Sequence, residues 1–138
     1  MTRGFAGVVL LAVAASMSGC ATAPSASGCR AGEQAAIVDS LYFGTAMPSG
    51  RVSADDWQGF LAGVITPRFP GGLTAFAATG QWQNASGELQ KEDSYVLQVV
   101  HKDEAKYEAA VREVVDTYKS RFRQEAVLRV RTATCISF

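Results

Sequence analysis

The chain has little of what most catalytic and metal chemistry requires. Its 138 residues include one histidine and three cysteines, too few for a His/Cys metal cage at the usual ligand spacing. No glycine-rich phosphate loop occurs, which removes the common nucleotide-binding motifs. Charge of one sign is also missing, since 13 Lys+Arg face 13 Asp+Glu. A neutral chain lacks the basic excess that draws proteins to nucleic acid, so nucleic acid is not an expected partner. No metal and no cofactor are expected. What is present, 48% hydrophobic and 19% charged residues, fits one globular domain and excludes two large ones.

The first 20 residues form an address. A basic start at Arg3 precedes an apolar run from Phe5 to Ala15 and then Met17-Ser18-Gly19-Cys20. The uncharged stretch before Cys20 is shorter than the roughly 20 residues a helix needs to cross a bilayer core. The layout is that of a secretory signal, and its last four residues resemble the bacterial lipobox, whose cysteine is diacylated and becomes the mature N-terminus. Residues 1–19 are therefore read as a lipoprotein signal peptide. The membrane becomes a partner through lipid on Cys20, and two acyl chains are what stable anchoring requires. Ala21 to Gly28 is small and polar and cannot bury enough surface to fold. Residues 20–34 are read as lipidated Cys20 and a flexible tether, and 35–138 as a single domain. Ala21 after the modified cysteine resembles the outer-membrane sorting pattern of two-membrane bacteria, so the domain is expected to be exported and to face the periplasm.

The domain reads as strand, helix, strand, strand, helix, strand. Ile37 to Phe43 ends at Gly44 and the turn formers Pro48-Ser49-Gly50, giving a first strand. Ser53 and Asp56 form a capping box with the shorter acid, and Trp57, Phe60, Leu61, Val64 and Ile65 recur at helical spacing. Pro67 disfavours helical geometry in the residue before it, so this helix is expected to stop by Thr66. Leu73 to Gln83 and Glu88 to His101 pair across a hairpin loop at Asn84-Ala85-Ser86-Gly87. Asn84 is read as turn chemistry rather than as a glycosylation acceptor. Asp103 is placed as the cap of a long second helix with a Tyr107, Val111, Val114, Val115, Tyr118, Phe122 stripe. Val127 to Ile136 closes the chain as a strand, with Leu128 and Val130 on one side and Arg129 and Arg131 on the other.

The expected fold class is α+β, a ferredoxin-like βαββαβ arrangement with a four-stranded antiparallel sheet and two helices on one face. The other face then needs polar residues, a partner subunit forming a homodimer, or a ligand. First and last strands lie side by side, which brings Cys29 near Cys135. With Cys20 consumed by lipid and the compartment oxidising, a Cys29–Cys135 disulfide follows.

Leu41-Tyr42-Phe43-Gly44, Ile65-Thr66-Pro67-Arg68-Phe69-Pro70 with Gly72-Leu73-Thr74, Gly80-Gln81-Trp82, and Glu92 with Ser94 together carry a resemblance. They are similar to a family of bacterial secreted proteins and lipoproteins known only as a domain of unknown function. The resemblance runs from about Leu41 to the C-terminus. It implies export and the extent of the domain, and it transfers no catalytic residue.

Candidate chemistry is sparse. Arg68, held between two prolines, is suited to a carboxylate or phosphate, or else to the last helical carbonyls or a nearby acid. Gln81, Trp82 and Glu92 lie on the two arms of the hairpin, where cross-strand pairing gathers an amide, an indole and a carboxylate. Arg68, Gln81, Trp82 and Glu92 are thus the candidate binding residues, and no catalytic residue is assigned. His101 stands alone, and Tyr42, Arg129 and Arg131 are placed on the open sheet face. The leading function is a non-enzymatic, lipid-anchored envelope module that binds an envelope protein or small ligand. The alternative is a small cofactor-free enzyme of the dimeric α+β barrel type, monooxygenase- or isomerase-like, by analogy of fold. A protease-inhibitor or propeptide-like domain shares the topology but lacks an inhibitory tail.

Overall fold

The computed structural model describes residues 28–83 and 85–138. The signal segment, Cys20, the tether up to Ser27, and Asn84 of the hairpin loop lie outside the described residues. Strand β1 (Gln34–Gly44) begins three residues before Ile37, because a turn bonded from Glu33 N–H to Arg30 O (3.0 Å) delivers the chain straight into the sheet. Its alternation is strict at the centre: Leu41 and Phe43 are wholly buried while Tyr42 is exposed. A short ribbon, β2 (Ala46–Met47) and β3 (Gly50–Arg51), turns around Pro48 and Ser49.

Helix α1 (Ala54–Phe60) starts with the expected capping box: Ser53 Oγ accepts from the Asp56 N–H at 3.1 Å, and the Asp56 carboxylate accepts from the Ser53 N–H at 3.2 Å. The helical path does not stop at Thr66. It loosens into a π turn (Leu61–Ile65) and tightens into a 3-10 turn (Thr66–Arg68). Thr66 keeps helical dihedrals (φ −53°, ψ −43°), since Pro67 falls in the first turn of the new segment, where a missing N–H removes no helical bond.

Strands β4 (Thr74–Gln83) and β5 (Leu89–His101) form the hairpin. Helix α2 (Ala105–Phe122) follows, then β6 (Leu128–Ile136). The expectation that Asp103 caps α2 is corrected. Glu104 occupies the cap position with no side-chain cap bond, because the Asp103 carboxylate is drawn across to an ion pair with Arg131. The sheet is antiparallel throughout, in the order β4-β5-β1-β6. The result is a mixed α+β fold with a four-stranded sheet and two helices.

Register decides which side of each strand meets the helices. Leu41 stands opposite both Leu97 of β5 and Arg129 of β6, and Leu41 and Leu97 belong to the core with Trp57, Phe60, Val111 and Tyr118. Each such side chain contributes roughly 1.5–3 kcal/mol of burial free energy. Phe43 lies at the centre, 4.6 Å from the Tyr118 ring and 5.3 Å from the Trp57 ring. Arg129 and Arg131 therefore face the helices, and their placement beside Tyr42 on the open face is corrected. The β6 alternation holds, with Leu128 and Val130 on the open side and the arginines on the helix side. On the open side Phe76, Val100, Leu128 and Val130 stay exposed.

The β1–β6 pairing sets Ala35 opposite Cys135. Cys29 and Cys135 form a disulfide with their Cα atoms 5.6 Å apart, within the span such a bond requires. The fold thus holds the chain from Cys29 onward.

Candidate functional site

Two polar assemblies stand out, one buried and one open. The buried one begins with Asp39, wholly inaccessible and flanked in sequence by core positions. Its Oδ1 accepts from Arg129 Nε (2.7 Å), and its Oδ2 accepts from Arg129 Nη2 (2.9 Å) and His101 Nε2 (2.9 Å). Arg129 reaches on to Glu108 of α2, with Nη1 and Nη2 donating at 2.8 and 2.7 Å. His101 Nδ1 lies 2.7 Å from Lys102 O, and the Tyr107 ring stacks on the imidazole at 4.9 Å. Each ring nitrogen thus lies against an oxygen that can accept a hydrogen bond. Burial alone would push the Asp39 carboxyl up, but the bonds from Arg129 and His101 outweigh it and hold the group below its ordinary value. The Arg129 bond pulls Glu108 down to about 2, and Glu108 and then Asp39 raise Arg129 in turn. This network ties β1, β5, β6 and α2 together. With Asp39 inaccessible and His101 nearly so, it offers a substrate no approach and works as structure.

The open assembly is a cleft of about 710 Å³ at the hairpin end of the sheet, lined by Tyr42, Trp82, Glu92, Arg123, Gln124 and Leu128 among others. Gly44 and Gly80 also line it, and Gly80 stands opposite Glu92 in the hairpin register. The bare backbone of Gly44 lets Glu92 come close: a side-chain carbon on it would lie 2.5 Å from Glu92 Oε1 and push that carboxylate aside. Glu92 Oε1 accepts one long bond, 3.4 Å, from the Ala46 N–H. Gln124 donates its amide nitrogen to Ala46 O and Phe122 O. Arg123 ends α2 in the left-handed region at φ 52°, a conformation usually given to glycine. Below the cleft, Tyr118 donates its hydroxyl to Gly44 O at 2.9 Å, and burial pushes that phenol up.

Of the four binding candidates read from the sequence, Gln81, Trp82 and Glu92 share this cleft, and Arg68 is not among its lining residues. Arg68 donates Nη1 to Val64 O (2.6 Å) and Nη2 to Glu113 of α2, while its Nε is buried without a partner. It joins the end of the α1 segment to α2, and that pairing lowers the Glu113 carboxyl and raises Arg68. Arg123, Gln124 and the buried network were not read from the sequence. The one grouping of three metal-type ligands among the described residues, Cys29, Glu33 and Cys135, has its two sulfurs joined to each other.

A family described as "Protein of unknown function (DUF3574)" matches residues 38–138. The chain belongs to that family. No curated protein matches in sequence. Among solved structures, a phage SAM lyase in complex with S-methyl-5'-thioadenosine is similar with a TM-score of 0.53 at 16% identity, over 75% of this chain and 90% of that one. The same description in its apo state gives 0.52 at 13% identity, over 74% and 89%. At such identities the likeness is one of fold, which this family member shares with an enzyme.

Proposed function

We propose that the protein is a cell-envelope domain, anchored by lipid on Cys20, that binds a small ligand in the cleft between the β4–β5 hairpin and the end of α2. The observation that carries this reading is the cleft's lining. A half-buried acid (Glu92) and an arginine (Arg123) line one concave site together with two aromatic residues (Tyr42, Trp82), the mix of apolar wall and few polar groups that small-molecule sites use. The strand order β4-β5-β1-β6, with its two intervening helices, is what supports the ferredoxin-like reading of the fold. A second copy on the open face would sit over Phe76, Val100 and Val130, beside the cleft residues Tyr42 and Leu128 of the same face, and sedimentation of the full chain tests for it. The ligand is tested by purifying the full chain from its own membrane and recording native mass spectra. A retained small molecule is expected, and a mass equal to the lipidated chain alone, in several detergents, counts against the reading.

A second reading, a small enzyme, is favoured by the fold likeness to the SAM lyase. It requires that the purified chain consume SAM, which chromatography of the reaction reports directly.

A further inference from the structure

The contents of the cleft fix a ligand class. The Oε1 atoms of Glu92 and Gln124 lie on the same side of Gly44, 2.5 and 3.5 Å from where a side-chain carbon on it would stand, so two acceptors come close together against bare backbone at the cleft. Neither is saturated. Glu92 Oε1 has only the 3.4 Å bond from Ala46 N–H. The Gln124 amide is oriented by two carbonyls, Ala46 O and Phe122 O, that take its nitrogen, which leaves its Oε1 accepting from nothing among the described residues. Two acceptors, one of them charged, call for a compact donor with several N–H groups, which an ammonium supplies.

The second observation is independent and concerns Arg123. Its left-handed backbone (φ 52°) strains any side chain, and glycine would end α2 without that strain. The chain instead places an arginine there, lining the same cleft, and its guanidinium makes no ion pair among the described residues. A guanidinium binds a carboxylate through two parallel hydrogen bonds. A bare cation would meet repulsion from Arg123, and a bare carboxylate would meet it from Glu92 and Glu125, which also lines the cleft. Only a ligand carrying both charges satisfies both ends.

We infer that the cleft takes a free α-amino acid, its ammonium on Glu92 and Gln124, its carboxylate on Arg123, and an apolar side chain against Trp82, Tyr42 and Leu128. This rests on the cleft being the ligand site. The full chain holds two tryptophans: Trp82 is exposed in the cleft, and Trp57 is buried and stacked on Tyr95 at 4.4 Å. With 5-fluorotryptophan incorporated, fluorine NMR therefore reports the cleft and an internal reference at once. Each of the twenty protein L-amino acids is titrated in turn, and apolar members are expected to move the Trp82 signal while Trp57 stays fixed. Phenethylamine and 3-phenylpropanoate, each lacking one charge of phenylalanine, should bind at least tenfold more weakly than phenylalanine. Glu92→Gln should lose at least tenfold in affinity. Arg123→Gly should lose as much while raising the melting temperature, a combination that misfolding cannot produce. If no amino acid moves Trp82, or if phenethylamine binds as well as phenylalanine, the inference is overturned. A small-molecule extract of the envelope separates the two failures: when it moves Trp82 and no amino acid does, the cleft reading stands and the amino-acid assignment falls. When neither moves it, both fall.

Discussion

Asp39→Ala tests the buried network most severely. The substitution removes the acceptor for Arg129 Nε at 2.7 Å, for Arg129 Nη2 at 2.9 Å and for His101 Nε2 at 2.9 Å, at a site with no access to water. Arg129 keeps Glu108 as a counter-ion, but its Nε and the His101 Nε2 are left without partners. Breaking one side of a buried charge pair costs about 3–5 kcal/mol, a large share of the roughly 5–15 kcal/mol that holds a domain folded. With an unfolding entropy of about 2.1 cal/mol/K per residue, that corresponds to a fall in Tm of about 13–22 °C for the described domain. Urea titration followed by circular dichroism measures the loss directly. Asp39→Asn, which keeps one acceptor oxygen, should fall between Ala and wild type. Adding Arg129→Met to Asp39→Ala should recover part of the loss, since the stranded guanidinium is gone. As a control, Arg131→Ala breaks an exposed pair with Asp103 and should cost no more than about 1 kcal/mol. A loss below about 1 kcal/mol for Asp39→Ala would refute the claim that these contacts organise the fold.

The Cys29–Cys135 bond closes a separation of 106 residues, worth about 4.8 kcal/mol in the chain-entropy model. The Cys29→Ser/Cys135→Ser variant should melt about 20 °C lower, and an unchanged Tm in calorimetry would remove the bond from the account. Glu108 is held at about 2 against an ordinary 4.5, and Asp39 is held below its ordinary 3.8. Both folded-state values lie below the unfolded ones, so their stabilisation is complete above pH 4.5 and is lost as pH falls toward 2. Glu108→Gln should flatten that part of a stability profile taken at pH 2 to 6, and a wild-type profile already flat there contradicts the assignment. Mass spectrometry of the membrane fraction should find a diacylglyceryl Cys20 as first residue. An unmodified Cys20, or a mature start elsewhere, sinks the anchor.

The parts of the fold legible in the sequence are those written in local periodicity and turn chemistry. The Ser53–Asp56 box, the two-strand hairpin and the α2 stripe depend on residues close in sequence, and so they could be located without knowing the fold. The disulfide needed one further step, the neighbourhood of first and last strands. What failed needed a decision between two faces. Leu128-Val130 and Arg129-Arg131 alternate cleanly, but hydrophobicity alone pointed the valines and leucines inward. Both arginines instead take the helix side, Arg129 to meet Asp39 and Glu108 and Arg131 to meet Asp103 at the exposed rim. A signal was present in β1: Asp39 shares the alternation of Leu41 and Phe43, and a charge on the buried side demands a counter-charge. At the site, Gln81, Trp82 and Glu92 could be gathered from hairpin pairing, whereas Arg123 and Gln124 arrive from a helix end that no local pattern ties to the hairpin. Arg68 pointed elsewhere because the helical path ran past Thr66 and carried it to α2.

Whether Glu92 holds a ligand decides the role of the cleft. Full-length protein and its Glu92→Gln variant, purified side by side from the native membrane, should differ in native mass spectra: the wild type retains a small molecule that the variant lacks, with both equally folded by circular dichroism. Equal retention by the two chains, or none by either, would contradict the cleft as the working site.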